Sequence, residues 1–282
     1  MLKRNLTVLF FLSFAVAPLA SGFVYAGLYS FGVIGALSTG FTFNHWAALF
    51  EDQGFWSALA LSMGVALFTL LLSLGLSLTL LLSLQRELEQ RVNYFLLHLP
   101  LALSSLVAAF LSFQWLGNTG MLARWAIHLG LFEKSQDFPE LINDAHYFGV
   151  IFTLTLLTFP IFTLLLLRFY QAENLSSLSQ VAATLGASSK DIIFRVQLPA
   201  LLRRITPTAL LYFVFLFGAY EVPLLLGRQS PMMWSVYVSQ KFKKFNLSDL
   251  PIAYSSTVLY TLFILLLVGW FWNKAAVSKA EQ

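Results

Sequence analysis

One acidic residue, Glu221, stands within a long apolar run of the sequence, in the stretch Phe217–Pro223. Counted from Thr206 along a helix, it would lie about 22 Å up the segment. A carboxylate is costly in hydrocarbon, so an acid at such a position marks a functional site by default. It could face a pathway across the membrane and contact a polar or cationic solute.

A purely structural role for the same carboxylate is the alternative. The acid could be neutral or paired, and could hold helix packing through Tyr220 or through a residue of another segment. Gly218 and Pro223 would allow a close approach or a kink beside it. We take Gly218, Tyr220 and Glu221 as candidate pathway residues and leave both alternatives open.

A second segment, about 175–200, is polar and separates two apolar runs. Ser177 followed by Gln180, and Ser188 followed by Asp191, each fit the capping box of a helix start. The spacing therefore predicts two short helices in this segment.

The ends of these two helices are also marked in the sequence. Gly186 stands where a helix C-terminus favours a left-handed residue. Pro199 is predicted to close the second helix, since helices usually end at or before the residue preceding a proline. Small side chains at Ala182, Ala183 and Gly186 would let another backbone approach closely. Apolar residues at intervals of three and four predict one apolar face on the first helix, formed by Leu175, Leu178, Ala182 and Leu185.

The composition indicates what must position these residues. Of 282 residues, 58% are hydrophobic and 11% are charged, against about 25% charged in a soluble protein. The mean hydropathy is +0.76, so the bilayer is the expected solvent. The net charge of +4 is spread thinly between apolar runs, which argues against a nucleic-acid partner.

Six apolar segments are long enough to cross about 30 Å of hydrocarbon. They lie at about 7–33, 55–84, 92–116, 147–168, 206–226 and 252–272. We read the first as an uncleaved span, because its apolar run is longer than the core of a signal peptide. The expected fold class is an all-α polytopic membrane protein, with one domain over residues 1–282 and the polar loop about 175–200 between spans four and five.

The distribution of Lys and Arg predicts the orientation. With both termini inside, eleven basic residues fall on the inner side: Lys3, Arg4, Arg86, Arg91, Arg168, Lys190, Arg195, Arg203, Arg204, Lys274 and Lys279. Six fall on the outer side: Arg124, Lys134, Arg228, Lys241, Lys243 and Lys244. This excess follows the positive-inside rule, although the outer cluster at 241–244 runs against it.

Several kinds of catalytic or metal site are excluded or unsupported. The chain has no cysteine, so disulfides, thiolate zinc sites and cysteine nucleophiles are ruled out. Its four histidines are scattered without paired spacing, and we predict no metal site and no enzymatic activity. There is also no Gly-rich phosphate loop ending in Gly-Lys-Ser/Thr.

The polar loop resembles the signature loop of binding-protein-dependent ABC importer permeases. That pattern reads Glu-Ala-Ala, three residues, Gly, nine residues, Ile-x-Leu-Pro. Here Gln180-Val181-Ala182 stand at the first triplet, Gly186 at the Gly, Val196 at the Ile, and Leu198-Pro199 at the Leu-Pro. The spacing matches throughout, and three side chains depart from the pattern. Gln180 in place of Glu removes a negative charge and puts a salt bridge to a partner in doubt.

The resemblance implies a function and a set of partners. The first short helix would be a coupling helix seated on a cytoplasmic ATPase, through Leu178, Gln180, Ala182, Ala183, Leu185, Gly186, Leu198 and Pro199. A pair of ATP-binding subunits would bind ATP and Mg, and this chain would bind no cofactor. A second permease copy or homologue and a periplasmic solute-binding protein would complete the importer in a bacterial inner membrane.

Two other functions remain as alternatives, an ion-gradient-driven secondary transporter and an ABC exporter subunit. A secondary transporter is expected to show broken helices in two repeated halves and intramembrane acids. The solute is expected to be small and polar. The stretches Gly218–Gly227 and Pro231–Trp234 resemble permeases for polyamines, thiamine or ferric iron, and Glu221 is compatible with a cationic solute.

Overall fold

The computed structural model of the protein describes residues 10–35, 38, 40–243 and 246–280, without the side chains of Trp272 and residues 274–280. Three of the basic residues counted above, Lys3, Arg4 and Lys244, lie outside the described residues, as does the predicted start of the first span at 7–9.

The described residues are helical and contain no strand. In chain order the helices are α1 Ala17–Ser30, preceded by a π-helix Leu12–Val16; α2 Asn44–Glu51; α3 Gln53–Leu88; α4 Arg91–Leu96; α5 Ser105–Leu116; α6 Met121–His128; α7 Phe148–Ala172; α8 Leu175–Thr184; α9 Ser189–Asp191; α10 Leu198–Phe217; α11 Glu221–Leu226; α12 Trp234–Lys243; and α13 Asp249–Ala280.

Six helical segments are long and apolar enough to cross a membrane. They are Leu12–Ser30, Gln53–Leu88, Ser105–His128, Phe148–Ala172, Ser189–Phe217 and Asp249–Phe271. This confirms the all-α polytopic class and the count of six spans. The second span, α3, is longer than one crossing needs and bends at Leu84, whose φ and ψ of −126° and 34° are not helical.

The chain forms two compact units. The first comprises Met1–Ala58 together with Ser235–Gln282, and the second comprises Leu59–Trp234. The polar loop and the candidate pathway residues all belong to the second unit.

In the first unit, aromatic rings join α1 to α13. The ring of Tyr254 lies 4.4 Å from that of Tyr29 and 5.8 Å from that of Tyr25, measured between centroids. Phe242 of α12 meets Tyr254 edge-on at 5.0 Å. Such offset and edge-to-face pairs stabilise beyond their buried area, so these rings hold α1, α12 and α13 together.

A partly buried ion network fixes α12 in the same unit. Lys241 Nζ lies 3.0 Å from Asp52 Oδ2 and 3.3 Å from Asp249 Oδ1, and the Tyr237 hydroxyl donates to Asp52 at 2.8 Å. Burial alone would raise the pKa of Asp52, but the hydrogen bonds from Lys241, Tyr237 and Gly54 outweigh burial and lower it.

In the second unit, small hydroxyl residues join α3 to α7. Ser62, Thr69, Ser73 and Ser77 lie on one side of α3 and are fully buried. The hydroxyls of Ser73 and Thr158 are 2.7 Å apart, and Ser77 donates to the carbonyl of Phe159 at 2.8 Å. Small and hydroxyl side chains let membrane helices approach closely and hydrogen-bond, so this stripe forms the α3–α7 interface.

The third span differs from the prediction of one helix over 92–116. Its continuous helix, α5, starts only at Ser105, and Ser104 caps it by accepting a hydrogen bond from the Val107 amide at 3.3 Å. Between α4 and α5 the chain makes a 3-10 turn at Pro100–Ala102. Pro100 has no N–H to donate to a continued helix, and the helical path ends after this turn, where Leu103 and Ser104 are extended.

Candidate functional site: the α8 loop and the fifth span

Helix α8 occupies the polar loop but begins earlier than the sequence indicates. It starts at Leu175, and the residue before it, Asn174, turns the chain with a left-handed φ of 50° and makes no side-chain cap. Asn tolerates this conformation better than most residues. The predicted capping box of Ser177 and Gln180 is therefore wrong, because both residues lie inside the helix.

The end of α8 agrees with the sequence. Gly186 has a φ of +86°, its amide donates to the carbonyl of Ala183 at 3.0 Å, and the Ala187 amide donates to Ala182 at 3.0 Å. This pair of bonds is a Schellman motif, which favours glycine at the left-handed position. Nothing lies within 4 Å of a Cβ placed on Gly186, so the requirement for glycine comes from the backbone and leaves the surface open.

The residues of the predicted apolar face of α8 share one side of the helix but differ in exposure. Leu175 is 1% exposed and packs into the unit, whereas Leu178 is 50% and Leu185 is 83% exposed. Val181, at 57% exposure, continues the outward side at helical spacing. We call Leu178, Val181 and Leu185 the exposed stripe; Gln180 and Ala183 are also exposed, and Ala182 is half-buried.

A hydrogen-bond chain braces the inward side of α8. The Gln197 side-chain amide donates to the Ser179 hydroxyl at 2.8 Å and to the Tyr170 hydroxyl at 3.4 Å. Ser179 in turn donates to the Leu175 carbonyl at 2.6 Å. These contacts join α8 to α7 and to the helical segment that leads into α10, so displacement of α8 would be passed to both spans.

The segment after α8 continues into the fifth span. As predicted, Ser188 caps the helix that follows, accepting a hydrogen bond from the Asp191 amide at 3.2 Å. Pro199 does not end that helix: α9, a π-helix over Ile192–Gln197 and α10 run on as one segment, Ser189–Phe217. The wide π turns relieve the clash between a proline ring and the carbonyl four residues earlier, which explains the wrong prediction.

Further polar contacts link other elements to this end of the second unit. Glu173 pairs with Arg204 of α10 at 2.5 Å. Arg168 of α7 donates to the Tyr94 hydroxyl at 2.9 Å, and Gln171 donates to Glu89 at 3.2 Å. These exposed contacts contribute little stability each, but together they connect the α3–α4 turn, α7 and α10.

The structure corrects the placement of Glu221. The fifth span ends at Phe217, short of the predicted 226, and Gly218 follows as its C-cap. Glu221 is the first residue of the separate short helix α11. Pro223 explains the break, since it could not donate to a continued α10 but is tolerated in the first turn of a new helix. The Glu221 side chain is exposed and has no hydrogen bond or ion pair among the residues that the structure describes.

Sequence reasoning missed two features of this site. Val181 stood out only as a departure from a motif, although its spacing from Leu178 and Leu185 could have placed it on the exposed stripe. Ser179 and Gln197 are eighteen residues apart, and no sequence signal pairs them. Within the described ranges, no group of three or more His, Cys, Asp or Glu residues is placed to hold a metal ion.

Six candidate membrane spans and a short helix braced against two of them define an all-α polytopic membrane protein. The family model for the binding-protein-dependent transport system inner membrane component matches residues 90–273. The chain belongs to this family, and it is the permease of an ABC importer that depends on a periplasmic binding protein. A comparison with curated proteins found no match.

Solved structures show the same fold. One is described as the crystal structure of a bacterial ABC transporter involved in the import of the acidic polysaccharide alginate. It matches at 20% identity with a TM-score of 0.72, over 98% of this chain and 95% of that chain. A second, a bacterial alginate ABC transporter in complex with an alginate pentasaccharide-bound periplasmic protein, matches at 19% identity with a TM-score of 0.70, over 95% and 90%.

Proposed function

We propose that this permease forms half of a solute pathway and couples it to ATP hydrolysis by a separate subunit through α8. The observation that carries the proposal is the exposed stripe. Three large apolar side chains face away from the unit on a helix whose other side is braced to two spans. Exposed apolar patches of this kind mark interaction sites, and the match of the loop to the family signature supports an ATPase groove as the partner.

The mechanism follows from the brace. Closure of a pair of ATPases around ATP and Mg would displace α8, and the Ser179–Gln197 and Leu175 contacts would transmit the displacement to α7 and α10. A second permease copy or homologue would form the other half of the pathway. The solute would arrive on the periplasmic binding protein, and this chain would itself hold neither nucleotide nor metal.

The proposed orientation places α8 and both termini in the cytoplasm of a bacterial cell. The inward excess of Lys and Arg supports it. In this orientation α6 and α12 lie on the periplasmic side, where the binding protein docks.

We propose a small polar solute, with a cationic one favoured by the exposed and unpaired Glu221. The alginate importers suggest the opposite charge, but they share only the fold at about 20% identity. Identification of the ligand of the cognate binding protein, by mass spectrometry of the protein purified from cells, decides between them.

A Gly186→Asp variant tests the coupling assignment. A side chain at a φ of +86° strains the end of α8 and adds a charge beside the exposed stripe. We expect membrane insertion to persist while transport and co-purification of the ATPase are lost. Gly130→Asp is a matched control, because Gly130 also has a left-handed φ, +73°, with open space around it. ATPase recovered at normal yield with Gly186→Asp would refute the assignment.

A further inference from the structure

The interruption of the third span lies at membrane depth. Its depth follows from the residues of α7 beside it, since α7 has 25 residues and a rise of about 37 Å. Leu157, Thr158 and Ile161 of α7 lie close to it, and Thr158 is about 15 Å along α7 from Phe148.

The interrupted backbone is at the surface of the second unit. Leu103 and Ser104 are extended, with ψ of 130° and 153°, and the side chains of Leu101 through Ser104 are exposed. Non-helical backbone at this depth is tolerated only where it is buried in protein or lines a water-filled cavity. This surface is therefore not one that faces lipid.

A groove of about 400 Å³ lies beside the interruption. Its lining residues come from the turn before α5, from α7 and from α10; they are Pro100, Leu101, Leu103, Ser105, Leu157, Thr158, Ile161, Leu211, Tyr212 and Phe215. Two hydroxyls, those of Ser105 and Tyr212, have no hydrogen-bond partner within the described part of the chain. None of the lining residues is an acid or a base.

We infer that this groove is the part of the solute pathway that this chain contributes at mid-membrane, with the Tyr212 hydroxyl as its polar contact. The inference rests on the proposed function. Unpaired hydroxyls covered by apolar protein would be costly, whereas water or a polar solute in this groove would reach both of them. Without a carboxylate or a base, the groove contacts the hydroxyl, amine or amide hydrogens of a solute and does not pair with its charge. Charge selection then falls to Glu221 or to the binding protein.

Cysteine accessibility tests the groove directly, since the natural chain contains no cysteine. Tyr212→Cys and Leu101→Cys are placed singly in the permease complex purified with its ATPase and reconstituted in liposomes. The probe is the charged, membrane-impermeant methanethiosulfonate ethylsulfonate. Leu71→Cys is the matched control, because Leu71 is 60% exposed near the middle of α3 and outside the groove.

We expect both groove cysteines to react at least about tenfold faster than the control in one nucleotide state, since apolar surroundings raise a thiol pKa and suppress the reactive thiolate. Rates equal to the control in every nucleotide state, for both variants, would overturn the inference. Tyr212→Phe adds a second readout: slower solute uptake with ATPase binding unchanged. Failure of the unmodified permease to co-purify with its ATPase would instead refute the proposed function. The labelling rates therefore test the groove, and co-purification tests the coupling to the ATPase.

Discussion

At the scale of single residues, the coupling that we propose depends on the side-chain amide of Gln197. Gln197 lies at the end of the π-helix and bonds to Ser179 of α8 and to Tyr170 of α7. Each hydrogen bond of this kind contributes only about 1 kcal/mol to stability. Its importance is geometric, because Gln197 joins α8 to α7 and to the segment that leads into α10.

A Gln197→Ala variant is expected to uncouple the transporter. The exposed stripe stays intact, so the ATPase should still bind and hydrolyse ATP, while solute uptake per ATP falls. The measurement is the ratio of uptake to hydrolysis in proteoliposomes. Arg195→Ala, two residues earlier, is the control, because its ion pair with Asp191 is exposed and worth little. An unchanged ratio for Gln197→Ala would show that the brace does not carry the coupling.

Glu221 is the second residue whose role can be measured. If it faces the pathway, Glu221→Gln keeps the size of the side chain, removes the charge, and should raise the KM for a cationic solute several-fold. Uptake kinetics in reconstituted complexes provide the measurement, with Glu140→Gln as an exposed acidic control. Kinetics identical to the unmodified chain would show that Glu221 does not contact the solute.

At the scale of elements, the position of α12 depends on Lys241 between two carboxylates. Burial by itself lowers the pKa of Lys241, but its hydrogen bonds to Asp52 and Asp249 and their charges outweigh burial and raise it. The pKa of Asp52 is shifted in the opposite direction and is lowered. The network is therefore charged and stabilising across the neutral range.

The network predicts a pH window for stability. The stabilisation from Asp52 is full above its unfolded pKa of 3.8 and is lost as the pH falls through the lower folded value. The stabilisation from Lys241 is full below its unfolded pKa of 10.5 and is lost as the pH rises through the higher folded value. The unfolding temperature in detergent, measured across pH, should fall at both extremes. In Asp52→Asn, the fall at acid pH should be smaller. An equal fall at acid pH in Asp52→Asn would show that Asp52 is not its cause.

At the scale of the whole molecule, the orientation of the chain is open to a single experiment. Thr184→Cys at the end of α8 and Lys134→Cys after α6 are exposed on opposite predicted sides. An impermeant thiol reagent should label Thr184→Cys only in inside-out vesicles and Lys134→Cys only in intact spheroplasts. Labelling with the reverse pattern would contradict cytoplasmic placement of α8.

The number of spans was predictable because each is a local property. A run of about 20 apolar residues must cross the bilayer whatever its neighbours do, and the run over 147–168 became α7 almost unchanged. The third and fifth spans were less predictable. Apolar composition does not register a proline-bearing interruption such as Pro100, and it does not show that a helix continues through Pro199 once a π turn precedes it.

The sequence by itself determined the six spans, the left-handed cap at Gly186 and the family signature of the loop, since each depends on residues close together in the chain. The tertiary structure decided which side of α8 is braced and which is exposed, since Gln197 and Ser179 meet only after α10 packs beside α8. It also shows that Glu221 lies outside the fifth span and that Tyr212 lies beside the interruption of the third span. These outcomes depend on packing between distant segments, whose free energy no local pattern records.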